Sequence, residues 1–546
     1  MAVVAAALVT GCAARDRRAS AAMDTMTAED LIRHIQVLAA DSLEGRGPSS
    51  PGEEKTIRYL RDEFGRLGLR PGNGESWFQE VPLVAMTTDK GTTLTVRGRG
   101  ASRTYRYGDD FVAFTKRVVP RSEIANSELV FAGYGVVAPE YGWNDYAGLD
   151  ARGKTVVVLV NDPGNEGTDT ALFKGRTMTY YGRWTYKYEE AARQGAAGVL
   201  IVHETVPAAY PWEVVTGSWG TEQFSLVARD NNMSRAAIEG WTTVETARGI
   251  FAQAGLSYDS LKTRANLRGF RAVPLGLTAS ISVRSAIRHS TSNNVLAVVR
   301  GSERPDEYMV YLAHWDHLGR DTTLKGDQIY NGALDNASGT AGLLELAEAF
   351  ARLDPAPRRS VLFLAVTAEE QGLIGSAHYA ENPIYPLDQT VAVINMDGLN
   401  PIGPMRDVTI IGYGNSELDD YLAEAARTQS RVIQPDAEPE KGFYYRSDHF
   451  NFAKVGVPAL YPDAGVDHVE RGEAYAREQR DKYTTERYHK PSDEYDPSWD
   501  LRGAIDDLRL FFLVGYRIVN EETYPNWRPG TEFRATRDSM MGHGGH

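Results

Sequence analysis

Tyr308-Met309-Val310-Tyr311-Leu312-Ala313-His314-Trp315-Asp316-His317 is the stretch on which the reading of the fold turns. Its first six residues are apolar and rich in strand formers, too short for a helix of ordinary length, and they read as a buried strand. At His314 the texture changes abruptly to imidazole and carboxylate. Moving outward, 294–299, 360–366, 390–395 and 408–411 have the same short, β-branched character, each bounded by turn residues. Between and after them, 339–352, 375–380, 417–428 and 501–519 space their apolar residues at helical intervals. Strand, loop and helix in alternation predict a layered α/β domain with a mainly parallel central sheet.

Further toward the N-terminus, 26–39 has helical spacing with Leu31, Ile35 and Leu38 on one side and Thr27 as its N-cap. A loop containing Glu44-Gly45-Arg46-Gly47 separates it from a second amphipathic segment, 54–67, ended by Gly68. Strand-like alternation follows at 79–83 and 92–96. From residue 126 the texture is different: strand-like 128–137 and 154–160, helical 184–194, a short buried strand at 198–202, and dense aromatics and glycines from 180 to 224. The domain organisation read from this is 1–23 signal and linker, 24–125 the N-terminal part of the main domain, 126–266 an insert, and 267–546 the remainder of the main domain. On Gly133-Tyr134-Gly135, the 150–160 turn and strand, and Gln194-Gly195-Ala196-Ala197-Gly198-Val199, the insert resembles the protease-associated domain, a small β-rich module.

A chain of 546 residues exceeds one compact core, and 42% hydrophobic residues mark it as globular. A net charge of -14 with no long basic run argues against nucleic acid or anionic lipid surfaces as partners. Cys12 is the only cysteine, so a metal must be held by His, Asp and Glu. Val9-Thr10-Gly11-Cys12 follows a small apolar stretch and resembles a bacterial lipobox, although the Lys or Arg that ordinarily opens a signal peptide is absent. The expectation is an exported periplasmic or cell-envelope lipoprotein anchored through Cys12. His543 and His546 in the tail read as a frayed terminus.

Three of the strands run into ligand-type residues at the ends where an open α/β sheet places its functional crevice. These are His314 with Asp316 and His317, Glu369-Glu370, and Asp397. Singly, each could be a cap or a solvated turn; together, at the same strand ends, they point to one site. Asp335, in Leu334-Asp335-Asn336-Ala337-Ser338-Gly339, is readable as an N-cap or as a carboxylate shared by two metals. His489 lies in the loop Tyr488-His489-Lys490-Pro491-Ser492-Asp493.

In this order, His-x-Asp, Asp-Asn-x-Ser-Gly, Glu-Glu-x-Gly-x-x-Gly-Ser, Asn-x-Asp and Tyr-His resemble the co-catalytic zinc peptidases, a family of bacterial aminopeptidases, glutamate carboxypeptidase and the catalytically silent transferrin receptor. The resemblance implies two zinc ions per chain, with His314 and Asp397 on one, Glu370 and His489 on the other, Asp335 bridging, and a cis bond at Asp335-Asn336. Five O and N donors, one shared, leave each ion open positions, as catalytic sites require. Glu369 adjoins a ligand, and its side chain points away from that of Glu370 in an extended segment, so it reads as the general base. The resemblance gives the Tyr488 hydroxyl an oxyanion-stabilising role. Asp316 is expected to orient the His314 ring, and His317 to be structural. Ser447-Asp448-His449 has the residue types of a serine triad, but adjacent residues rarely converge that way and no nucleophile elbow precedes them, so it reads as a pocket-shaping element.

The leading functional expectation is an aminopeptidase acting on peptides. A carboxypeptidase for acidic C-termini is the alternative, kept open by Lys441 and Arg446; a glutaminyl cyclase and an inactive binding protein on the same fold follow.

Overall fold

The strand β3 (Arg304–His314) is the centre of the main sheet in this computed structural model, which describes residues 17–165, 169, 171–219 and 221–542. Cys12, His543 and His546 lie outside the described residues. The chain divides into two compact units. Of the described residues, those within 1–81, 291–437 and 446–546 form the larger, and those within 82–290 and 438–445 the smaller.

In the larger unit β3 pairs in parallel with β4 (Arg359–Val366) on one side and β5 (Thr390–Asn395) on the other. Every residue of β4 and β5 is buried. That is why both read as continuous apolar runs without alternation. Beyond β4 the sheet continues antiparallel through β2 (Val273–Val299) to β1 (Arg70–Pro71). Beyond β5 it continues through β8 (Ala459–Ala464), which is parallel to β5. The antiparallel β6 (Asp407–Ile411) follows, with β7 (Val432–Pro435) at the margin. The centre is therefore parallel, in a layered α/β arrangement.

Helices cover this sheet. Helix α1 (Ala28–Leu38) starts at Thr27, whose hydroxyl accepts the Asp30 N–H. Helix α2 (Pro51–Arg66) has Pro51 in its first turn and Ser50 as cap, where a missing N–H is harmless. Helix α3 (Gly339–Ala351) is buried almost all round, touching α1, β3 and α7 (Arg502–Asn520). This explains its nearly unbroken apolar sequence. Helices α4 (Ile374–Glu381), α5 (Leu418–Thr428) and α6 (Gly472–Glu486) complete the elements used below.

The smaller unit is built on a mixed sheet of its own. Gly198–His203 lies parallel between Thr155–Leu159 and Ile238–Thr243. Arg121–Phe131 extends that sheet beside Thr155–Leu159, and Phe111–Phe114 pairs antiparallel with Ile238–Thr243. Thr93–Gly98 pairs with Ala101–Arg106 and with part of β2. The unit is thus wider than the span 126–266 marked from the sequence. Alternation within 92–96 shows that a strand exists there but not which sheet it joins.

Candidate metal centre

Five segments of the larger unit deliver the donors. His314 is the last residue of β3, level with Val366 of β4, while Leu312 is level with Asn395 of β5. Glu369-Glu370 and Asp397 follow those neighbouring strands by two to four residues, so register alone brings three loops to one edge. The segment before α3 supplies Asp335, and the loop after α6 supplies His489, whose φ is +55°.

The donor atoms converge. His314 Nε2 lies 3.2 Å from Asp397 Oδ1, 3.4 Å from Asp335 Oδ1 and 4.0 Å from Glu369 Oε2. His489 Nε2 lies 3.1 Å from both Asp335 Oδ2 and Glu370 Oε2. Asp335 therefore turns one oxygen to each histidine. Among the described residues, His314, Asp335 and Glu370 form one set of donors within 4.8 Å of one another, and His314, Glu369 and Asp397 form another. His314 is almost fully buried, whereas the His489 side chain is 38% exposed, so the cluster opens to solvent on one side. Tyr488 is also exposed, its ring stacked on that of His489 at 3.9 Å.

The loops are sutured by the small polar residues of the Asp-Asn-x-Ser-Gly motif. The peptide bond Asp335-Asn336 is cis. Asn336 accepts from the N–H groups of Gly339 and Gly398, both at 2.9 Å, and donates to the Met396 carbonyl. Ser338 donates to Leu334 and accepts from Leu399 N–H, and Thr340 donates to the His314 carbonyl. Asn336 and Ser338 therefore tie the Asp335 segment to the Asp397 loop, and Thr340 ties it to the end of β3. At position 339 only glycine fits, since a Cβ there would stand 2.2 Å from Asn336 Oδ1.

Charge is poorly balanced in this cluster. Burial pushes Asp335 upward, but hydrogen bonds from His314 and His489 outweigh it and hold the carboxylate well below its ordinary range. Burial, reinforced by Asp397 and Glu370, drives Glu369 well upward, with His314 opposing. Among the described residues the ion-pair partners of Asp335, Glu369, Glu370 and Asp397 are histidines; none is Lys or Arg. Carboxylates packed this closely without a fixed cation are the chemistry of a divalent-cation site. The donor set fits such a group.

Several surrounding residues carry more than their sequence signal suggested. The His314 Nδ1 lies 3.2 Å from the main-chain carbonyl of Asp316 and 3.8 Å from its carboxylate, which instead accepts the Glu369 N–H at 3.1 Å. Asp316 thus connects to the His314 ring chiefly through its backbone and fixes Glu369 through its side chain; burial raises it to about 8. His317 sits with Nδ1 2.5 Å from Glu370 Oε1, against the donor cluster and not apart from it. Asp493 accepts the N–H groups of Leu334 and Asp335 and the Tyr483 hydroxyl, and so holds the segment that carries Asp335. In the triad-like run, Asn395 donates to the Ser447 hydroxyl while Asp448 takes that of Ser376. Ser447 and Asp448 serve different partners. Lys441, in the smaller unit, pairs with Glu438 at 2.6 Å, and Arg446 in the larger is half-buried.

This geometry has counterparts among known proteins at the level of sequence and fold. Residues 294–513 match the model of Peptidase family M28. The matched segment contains all five converging donors, His314, Asp335, Glu370, Asp397 and His489, together with Glu369. Mouse aminopeptidase NAALADL1 is 38% identical over 159 residues, covering 28% of this chain and 19% of that protein. A glutamate carboxypeptidase 2 homolog from Caenorhabditis elegans is 27% identical over 386 residues, covering 60% of this chain and 48% of the relative. The chain thus spans less than half the length of these curated relatives. Among solved structures, an aminopeptidase from Aneurinibacillus sp. strain AM-1 superposes with a TM-score of 0.50 at 20% identity, over 92% of this chain and 96% of that one. This likeness shows the shared fold.

Proposed function

We propose that this chain is a zinc-dependent aminopeptidase that removes N-terminal residues from peptides with two zinc ions per chain. The observation that carries the reading is the placement of Asp335, with one oxygen toward His314 and the other toward His489. His314 and Asp397 would hold one ion, Glu370 and His489 the other, and Asp335 would bridge them. When bound, the pair supplies Lewis acidity for an attacking water and for the scissile carbonyl.

The chain's own residues do the rest. Glu369, held by Asp316 through its backbone N–H, takes the proton of the attacking water and passes it to the departing amine. Its carboxylate and that of Asp397 also offer negative charge to the α-ammonium of a peptide N-terminus. Tyr488, on the exposed side of the cluster, would supply its hydroxyl to the developing oxyanion. The relatives' names divide between aminopeptidase and glutamate carboxypeptidase. A carboxypeptidase needs a cation for the substrate carboxylate; Lys441 is paired with Glu438, and Arg446 is the other cation on which that alternative rests.

Purified chain given zinc should cleave leucyl or alanyl chromogenic amides, with elemental analysis giving two ions per chain and EDTA abolishing turnover. Cleavage confined to N-blocked substrates with acidic C-termini would sink the aminopeptidase reading. We also read the smaller unit as a protease-associated domain and the chain as an exported lipoprotein anchored at Cys12. Among the described residues no helix is long and apolar enough to cross a membrane. On the lipoprotein reading, Cys12→Ala should move the protein from the membrane fraction to the soluble one.

A further inference from the structure

Arg46 is almost fully buried, and the loop that carries it has an unusual backbone. Glu44, Gly45 and Arg46 have φ values of +51°, +68° and +49°, three left-handed residues in succession. Side chains other than glycine rarely adopt this conformation, least of all in a run. At Gly45 a Cβ would stand 2.3 Å from the Gly319 carbonyl oxygen and 2.7 Å from that of Tyr330. The loop is therefore pressed against the backbone of both segments, with room for nothing larger than glycine at its centre.

This contorted turn delivers the guanidinium to a set of main-chain carbonyls. Nε donates to Trp315 at 2.8 Å, Nη1 to Leu38 at 2.6 Å and Asn331 at 2.5 Å, and Nη2 to Gly332 at 2.9 Å. In return the Arg46 carbonyl accepts the His317 N–H at 3.3 Å. Trp315 directly follows His314, and Gly332 comes three residues before Asp335. Among the described residues Arg46 makes no ion pair within 4.0 Å; its hydrogen bonds go to backbone. Burial lowers it to about 10, with Asp316, Asp493, Asp335 and Glu370 opposing that fall, so it stays charged at neutral pH.

We propose that Arg46 is a positioning residue for the metal centre. Its planar fork clamps the chain leaving His314 to the chain approaching Asp335, which fixes the separation of these two donors before any cation arrives. Lysine has the charge but not the fork, and cannot span the same carbonyls. The inference rests on the proposed metallopeptidase reading for its consequence, though the clamp itself is a property of the protein alone.

The test uses full-length Arg46→Lys and Arg46→Met. Zinc affinity is read by competition with a chromophoric chelator. Hydrogen–deuterium exchange of the metal-free proteins is followed over 314–319, 331–337 and, as a control, 502–520. Both variants should bind zinc about 10- to 100-fold more weakly, the usual cost of losing an outer partner of a metal ligand. Exchange should rise in the first two segments and not in the control, and turnover should return to within a few fold at saturating zinc. Wild-type affinity in Arg46→Lys would overturn the proposal, because charge alone would then suffice. Unchanged exchange in 314–319 and 331–337 would overturn it too, as would faster exchange spread evenly to 502–520, which marks a general folding role. Wild-type chain that takes up no zinc would defeat the proposed function, while the exchange data on metal-free protein would still decide the clamp.

Discussion

Asp145 and Asp162 in the smaller unit, and Asp335 and Glu369 in the larger, are all buried or nearly so, yet their surroundings differ. Asp145 accepts the N–H groups of Tyr134 and Val136 and the Trp143 indole, while Asp162 accepts Thr179 through both N–H and hydroxyl, and Gly164 N–H. The buried Lys187 adds a cation whose ammonium donates to the Asn161 carbonyl. Burial still raises Asp145 to about 7 and Asp162 to about 6, and lowers Lys187 to about 7. The network is nevertheless complete in itself. In the larger unit the carboxylates face one another and a few imidazoles. The lesson is that a buried acid cluster is structural when the protein supplies its donors and cation, and a ligand site when it withholds them.

The comparison can be broken most directly at Glu369. Glu369→Gln should cut kcat by roughly 10²- to 10⁴-fold while elemental analysis still finds the same zinc content; unchanged turnover would remove Glu369 from the chemistry. The converse change is Lys187→Met in the smaller unit. It leaves the Asn161 carbonyl without its donor and removes the cation whose field favours ionised Asp145 and Asp162, and denaturant unfolding should register a loss of about 3 kcal/mol, with zinc content unaltered. A smaller shift is expected from metal itself. At a hundredfold excess over Kd, zinc should stabilise the larger unit by about 2.7 kcal/mol. Calorimetry should show that transition alone moving on chelation, and equal movement of both transitions would contradict the contrast.

The mildest effect concerns Glu345 on α3, buried beside His34 and accepting the Thr27 N–H. Burial raises it to about 8 from 4.5, and lowers His34 to about 4. Below about pH 4 the carboxyl is protonated in folded and unfolded chains alike, so it costs nothing. Between there and pH 8 the unfolded form ionises first, so stability falls as pH rises. Glu345→Gln should accordingly melt above the parent at pH 8, with the gap closing toward pH 4. A constant gap across that range would show that titration is not the cause.

Much of the sheet was legible because its strands are buried on both faces and their ends change from apolar to ligand-type residues within one or two positions, as at Ala313-His314. Helix α3 and its preceding turn were legible through Asp335 and Gly339. Asp493 and Arg46 carried no comparable signal. Each is a lone charged residue in a loop, and its importance lies in main-chain groups at Leu334, Trp315 and Gly332 that are distant in sequence. The contact of His317 with Glu370 was hidden for a similar reason, since Glu370 lies on another strand's loop. Helix α6, with mostly exposed residues, offered no apolar stripe to read.

The sequence by itself determined the layered α/β class, the strand ends bearing His314, Glu369-Glu370 and Asp397, and the residue types fit for a cation. Only the tertiary structure decided which strands are neighbours, that residues 295–299 of β2 pair with β4 while its residues 278–281 pair with Thr93–Gly98, that Asp335 faces both histidines, and that a buried guanidinium braces two donor loops. The physical reason is that periodicity records how deeply a side chain is buried. Donor separations are set by long-range hydrogen bonds between backbone groups, which are common to every residue and leave no mark in the sequence.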